Sequence, residues 1–90
     1  MGNKHKIYVD VAAVFKKEGL IFPREIIWED GRHFPIDRVL EVRQAAAQKA
    51  GGQGDRYTIM VSGRLSFLFF ERSCQLTGTN VGRWFVETPT

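Results

Sequence analysis

The segment AGGQGDRY, residues 50–57, is the first place where residue types and spacing could do chemistry, with three glycines in four positions. Glycines grouped in this way can cradle a phosphate with backbone N–H groups. A P-loop, however, places Lys and then Ser or Thr directly after its last glycine, where a helix starts. Here Asp55 and Arg56 follow Gly54, so an acid stands where the lysine belongs. No G-x-G-x-x-G occurs, which removes the dinucleotide fingerprint as well. His5 and His33 come from separate segments, with no cysteine or carboxylate at ligand spacing, and make a poor metal site. Glu29-Asp30 is a turn pair of the kind that is usually solvated. Cys74 sits in a polar stretch with nothing nearby in sequence to lower its pKa. With no nucleophile, base and orienting group in view, the sequence predicts a protein that is not an enzyme and holds no cofactor or metal.

The triplet Gly51-Gly52-Gln53 resembles the loop with which class I peptide release factors trigger hydrolysis of peptidyl-tRNA. There the catalytic unit is the glutamine's backbone amide, held by flexible glycines. The resemblance spans three residues. Release factors continue into a polar segment and a long basic tail, whereas this chain continues Gly54-Asp55-Arg56-Tyr57 and closes on the neutral TPT. A peptidyl-tRNA ester hydrolase is thus a remote alternative. The expected role of 50–55 is a mobile connector, with a strand starting near Arg56.

Basic residues interleaved with aromatics are the remaining signal. Lys49, Arg56 and Tyr57 cluster around the glycine segment, Arg38 and Arg43 lie just upstream, and Arg64 stands at the exit of a turn; small barrels bind single strands with a positive surface and stacking rings. The competing account is ordinary: arginines beside turns keep sheet edges soluble, and Tyr57 serves the core. Single-stranded nucleic acid is the first partner this predicts, with another protein as the alternative.

Ninety residues suit one small domain over 1–90, with 1–5 expected to be disordered. The net charge of +3 and pI near 9.4 tilt only weakly toward polyanions, because the acids are scattered among the bases. A single cysteine excludes an internal disulfide and a cysteine-based zinc site. No apolar stretch is long enough for a membrane helix, and Lys6 stands where myristoylation wants Ser or Thr. The expectation is a cytoplasmic monomer or weak homodimer without a membrane partner.

What must position any site is a chain punctuated by turns ending in glycine: KKEG at 16–19, EDG at 29–31, VSG at 61–63 and TNVG at 79–82. Glycine in such turns takes positive φ, so Gly19, Gly31 and Gly63 are expected there. Read as loops of four, three and three residues, the first three turns put Ile7, Val9, Val11, Phe15, Phe22, Ile26, Trp28, Phe34 and Ile36 on one face. Tyr57, Ile59, Leu65, Phe67 and Phe69 share a face in the same way. Tyr8, Val14, Ile27, Met60, Leu68 and Phe70 fall opposite, with Met60, Leu68 and Phe70 as an apolar outer patch. ERSCQLTGTNVG, 71–82, reads as a surface loop before a last strand RWFVE, 83–87.

The segment IDRVLEVRQAAAQKAGG, 36–52, fits two readings. One is a strand continuing from Phe34 through Val42, kinked near Asp37, then a long loop; the other is a helix over about 37–50. The run KIYVDV…WEDGR…IDRVLEVR…KAGGQGDRYTIMV…LFFE…RWFVE resembles a group of short uncharacterised bacterial proteins over nearly the whole chain. That resemblance implies no activity. It favours the strand, because relatives break the alanine stretch with proline or serine. The expected fold is mainly β, a small SH3-like barrel built from a β-meander of five to six strands. The alternative is α+β with the helix packed on the sheet.

Overall fold

The computed structural model describes residues 4–44, 55–78 and 80–89. Alternation of apolar and polar side chains, broken by glycine turns, yields seven strands and no helix among these residues. They are β1 (Lys4–Phe15), β2 (Ile21–Ile27), β3 (His33–Pro35), β4 (Arg38–Arg43), β5 (Asp55–Val61), β6 (Arg64–Thr77) and β7 (Asn80–Pro89). All pairs are antiparallel, and the order across the sheet is β3-β2-β1-β7-β6-β5-β4.

The two edge strands, β3 and β4, are consecutive in the chain and separated only by Ile36 and Asp37. The sheet must therefore curl until its edges meet. The meeting point is made by successive amides: Ile36 N–H donates to Arg24 O of β2 (2.9 Å) and Asp37 N–H to Met60 O of β5 (2.8 Å). Counted as one strand kinked at Asp37, β3 and β4 make the molecule a six-stranded meander curled into a half-barrel. The strand reading of Arg38–Arg43 holds, and a helix over 37–50 is not formed at 38–43. Residues 45–50, like the glycine segment 50–54, lie outside the described residues.

The turns set the faces. Gly31 N–H donates to Trp28 O and Trp28 N–H to Arg32 O, a three-residue turn as expected, with Gly31 at φ 91°. The first turn uses the same pattern, Gly19 N–H to Lys16 O and Lys16 N–H to Leu20 O, so it has three residues rather than four. Phe15 consequently pairs with Ile21 and is 66% exposed instead of joining the core. A bulge restores the face: Ala12 pairs with Glu25 but Ala13 with Pro23, leaving Arg24 extra, and Val11 meets Ile26 inside. Pro23, which lacks an N–H, sits at that irregularity.

The third turn is shorter than expected. Val61 pairs with Arg64, so Ser62 and Gly63 alone make the turn, with φ 51° and 77°, the two positive values of a type I′ turn. One residue fewer inverts β6. Tyr57 faces Leu68 and Ile59 faces Ser66, so Leu68 and Phe70 are buried inside, and the expected patch of Met60, Leu68 and Phe70 does not exist. Leu65 (58% exposed) and Phe67 point outward. Phe69 is also outward, but buried by stacking on Phe85 at 5.0 Å between centroids.

The stretch expected as a surface loop is instead a hairpin: β6 runs on through Thr77, which pairs with Asn80, and Arg72 pairs with Gly82. β1 begins at Lys4, with Lys4 and His5 paired to Pro89 and Thr88; residues 1–3 are not among those described. This β1–β7 pairing joins the two halves of the meander. Inside, Tyr57, Phe70 and Trp84 pack ring against ring, 5.2 and 4.8 Å between centroids, with Ile26, Ile59 and Leu68.

Candidate functional site

The outer face of β4, β5 and β6 carries the basic residues. A bulge at Leu40 keeps Val39 and Val42 on the inner side and turns Arg38, Glu41 and Arg43 outward. Arg43 then stands directly opposite Arg56, and Arg56 directly opposite Phe69. The Arg56 guanidinium lies 4.9 Å from the centroid of Phe67, and its Nε is buried with no hydrogen-bond partner. Like charges directly opposed across a ladder repel, so this pairing costs stability in the isolated chain. Glu41 relieves it little: it reaches Arg43 at 3.6 Å, an exposed contact worth under about 1 kcal/mol. Next to the pair, Phe67 is 43% exposed, with Leu65 and Met60 beyond it.

Of the residues expected to form a nucleic-acid site, the sheet brings Arg43 and Arg56 together. Arg38, opposite Met60, is exposed on the same face, four residues of β5 or roughly 14 Å further along. Arg64, exposed, begins β6 at that far end. Tyr57 does not belong to the surface: it is 4% exposed, and its hydroxyl crosses the interior to donate to Ile21 O at 2.7 Å. Burial raises its pKa. Lys49 lies outside the described residues. Phe67 was missed because the VSG loop length placed it in the core. The Ser-Gly pair between Val61 and Arg64 was the available signal, since such dipeptides make two-residue hairpin turns.

A second polar group lies on the same outer face, at β1, β6 and β7. Tyr8 Oη donates to Glu71 Oε1 (2.9 Å), Lys6 Nζ to Glu71 Oε2 (3.4 Å) and Arg83 to Oε1 (3.3 Å), with the Arg83 guanidinium 4.1 Å from the Tyr8 centroid. The Tyr8 hydrogen bond, helped by Lys6 and Arg83, holds the Glu71 carboxyl below the usual range. A carboxylate so held stays ionised near neutral pH and is poorly matched to proton transfer there. Elsewhere Asp55 pairs with Arg72 at 3.1 Å, and His33 Nδ1 lies 3.1 Å from Glu25. No group of three His, Cys, Asp or Glu among the described residues could hold a metal ion. Cys74 falls within β6 rather than in a loop.

Comparison with known protein families, curated proteins and solved structures finds no match. The functional reading therefore rests on this geometry.

Proposed function

We propose that the protein is a non-enzymatic binding module that takes single-stranded nucleic acid on the outer face of β4, β5 and β6. The observation that carries this reading is the opposed pair Arg43 and Arg56 beside the exposed ring of Phe67. An anionic phosphate between the two guanidiniums relieves their repulsion, and a base stacks on Phe67. Arg38 extends the positive track. The setting we propose is a bacterial cytoplasm and a barrel of the SH3-like kind, supported by the resemblance and by the strand kinked between the two sheet edges.

The test is titration of fluorescent single-stranded DNA and RNA at several salt concentrations. Binding should weaken steeply with salt, and Arg43→Gln with Arg56→Gln should reduce the logarithmic salt slope by roughly 1.4, two phosphate contacts at about 0.7 each. Phe67→Ala should cost about 1–3 kcal/mol of binding with the slope unchanged. Absence of binding at low salt would overturn the reading in favour of a protein partner on the outward stripe of Met60, Leu65 and Phe67.

A further inference from the structure

The half-barrel is filled unevenly. One end holds the rings of Tyr57, Phe70 and Trp84. Toward the other end the inward side chains are Ile26, Ile59, Val61, Ser66 and Val86, none of them aromatic, while Trp28, Phe34 and Phe67 stand as walls. They leave a cavity of about 560 Å³ that opens to solvent. Protein interiors are otherwise packed like organic crystals, and a space of ~300–1,000 Å³ lined by apolar and aromatic side chains with few polar groups is the usual form of a small-molecule site.

The polar groups are placed at defined points. Arg32 borders the opening. Its Nε donates to Asp30 Oδ2 at 2.7 Å, its backbone N–H donates to Asp30 Oδ1 at 3.0 Å, and its guanidinium lies 5.3 Å from the Phe34 centroid. A guanidinium has five N–H donors, so one bond to Asp30 fixes its position without exhausting it. Ser66, opposite Ile59, brings a hydroxyl to the wall. Glu87 also borders the opening, but its register sets it opposite Lys6 on the outer face.

We propose that this cavity is a binding site for a small apolar acid, an aromatic or aliphatic body held among Ile26, Trp28, Phe34, Ile59 and Val86 with its anionic head at Arg32. A strongly polar body would lose its hydration against these walls without recovering hydrogen bonds, whereas a hydrocarbon body gains by leaving water. The site lies on the inner side of the sheet and shares Phe67, which also lines the cavity, with the nucleic-acid reading on the outer side; Arg32 and Ser66, which the tests below change, take no part in that reading.

The probe is anilinonaphthalene sulfonate, which pairs an aromatic body with an anion, compared with neutral phenylnaphthylamine; decanoate and decanol serve as competitors. Saturable binding of one sulfonate probe per chain is expected, displaced by decanoate at roughly tenfold lower concentration than by decanol. Arg32→Gln should weaken the sulfonate probe roughly tenfold and leave the neutral probe unchanged. Ser66→Phe, which fills the cavity, should abolish binding of both while the melting temperature is retained. Unsaturable fluorescence, full binding by folded Ser66→Phe, or equal response of both probes to Arg32→Gln overturns the proposal. Should Ser66→Phe not fold, amide spectra of the wild type with decanoate decide: shifts confined to the cavity walls support it, and scattered or absent shifts overturn it.

Discussion

Gly82 pairs with Arg72 inside the β6–β7 hairpin at φ 150°, and a Cβ there would lie 2.5 Å from Glu71 O and 2.7 Å from the Phe70 ring. Gly31 also has positive φ, but open space surrounds it. Gly31→Ala should thus cost about 1 kcal/mol in urea unfolding, the backbone penalty alone. Gly82→Ala should cost roughly 2–3 kcal/mol, because the Glu71 carbonyl, a backbone group, and the Phe70 ring must both also shift. Equal midpoints would show that the Glu71 carbonyl and the Phe70 ring both yield freely. Glu71 gives the pH dependence. Its folded pKa is depressed, chiefly by the Tyr8 hydrogen bond, so its contribution is complete above the unfolded value of roughly 4.3 and is lost as pH falls through the folded value. Glu71→Gln should flatten stability against pH on the acid side of that value while leaving the slope near neutrality unchanged.

At the scale of elements, the register of β6 decides the core. Leu68 is fully buried opposite Tyr57, and Leu65, three residues earlier, is exposed opposite Met60. Leu68→Ala should cost about 2–5 kcal/mol, and Leu65→Ala should stay within about 0.5 kcal/mol. The reverse order would restore the three-residue turn. The sequence showed the glycines and their positive φ, which hold at Gly19, Gly31 and Gly63, but loop length was legible only for EDG. The reason lies in LSFLFF: it is apolar at both parities, because Phe69 is buried on the outer side, stacked on Phe85, while Leu68 and Phe70 are buried within. Alternation then discriminates nothing, and an error of one residue exchanges the faces. The bulges at Arg24 and Leu40 were likewise hidden, since each simply repairs the pattern. For the candidate site this means that Arg43 and Arg56, expected near one another, do stand opposite each other on the outer face, while Tyr57 lies in the core and Phe67 on the surface.

For the whole molecule, the issue is what holds a sheet with two free edges in a curled shape. The mainly β fold and the kink near Asp37 were readable, because polar turns recur at short intervals and Ile36–Val42 continues the alternation from Phe34. The pairing of β1 with β7 was not, as no local pattern marks partners from opposite ends of the chain. That pairing joins β1–β3 to β4–β7 on one side; on the other, the join is covalent, through Ile36 and Asp37. There the Asp37 N–H bond to Met60 O ties the crossing to β5, and Asp37 Oδ2 accepts from Gly63 N–H at 3.4 Å. Proline at 37 keeps the chain continuous but removes the donor and the carboxylate together. Asp37→Pro should lower global stability by about 1–3 kcal/mol. It should also speed hydrogen exchange first in β3 and β4, the strands that border the crossing, while β6 and β7 keep their relative protection. Uniform loss of protection across every strand would show instead that the two edges open only when the entire sheet unfolds.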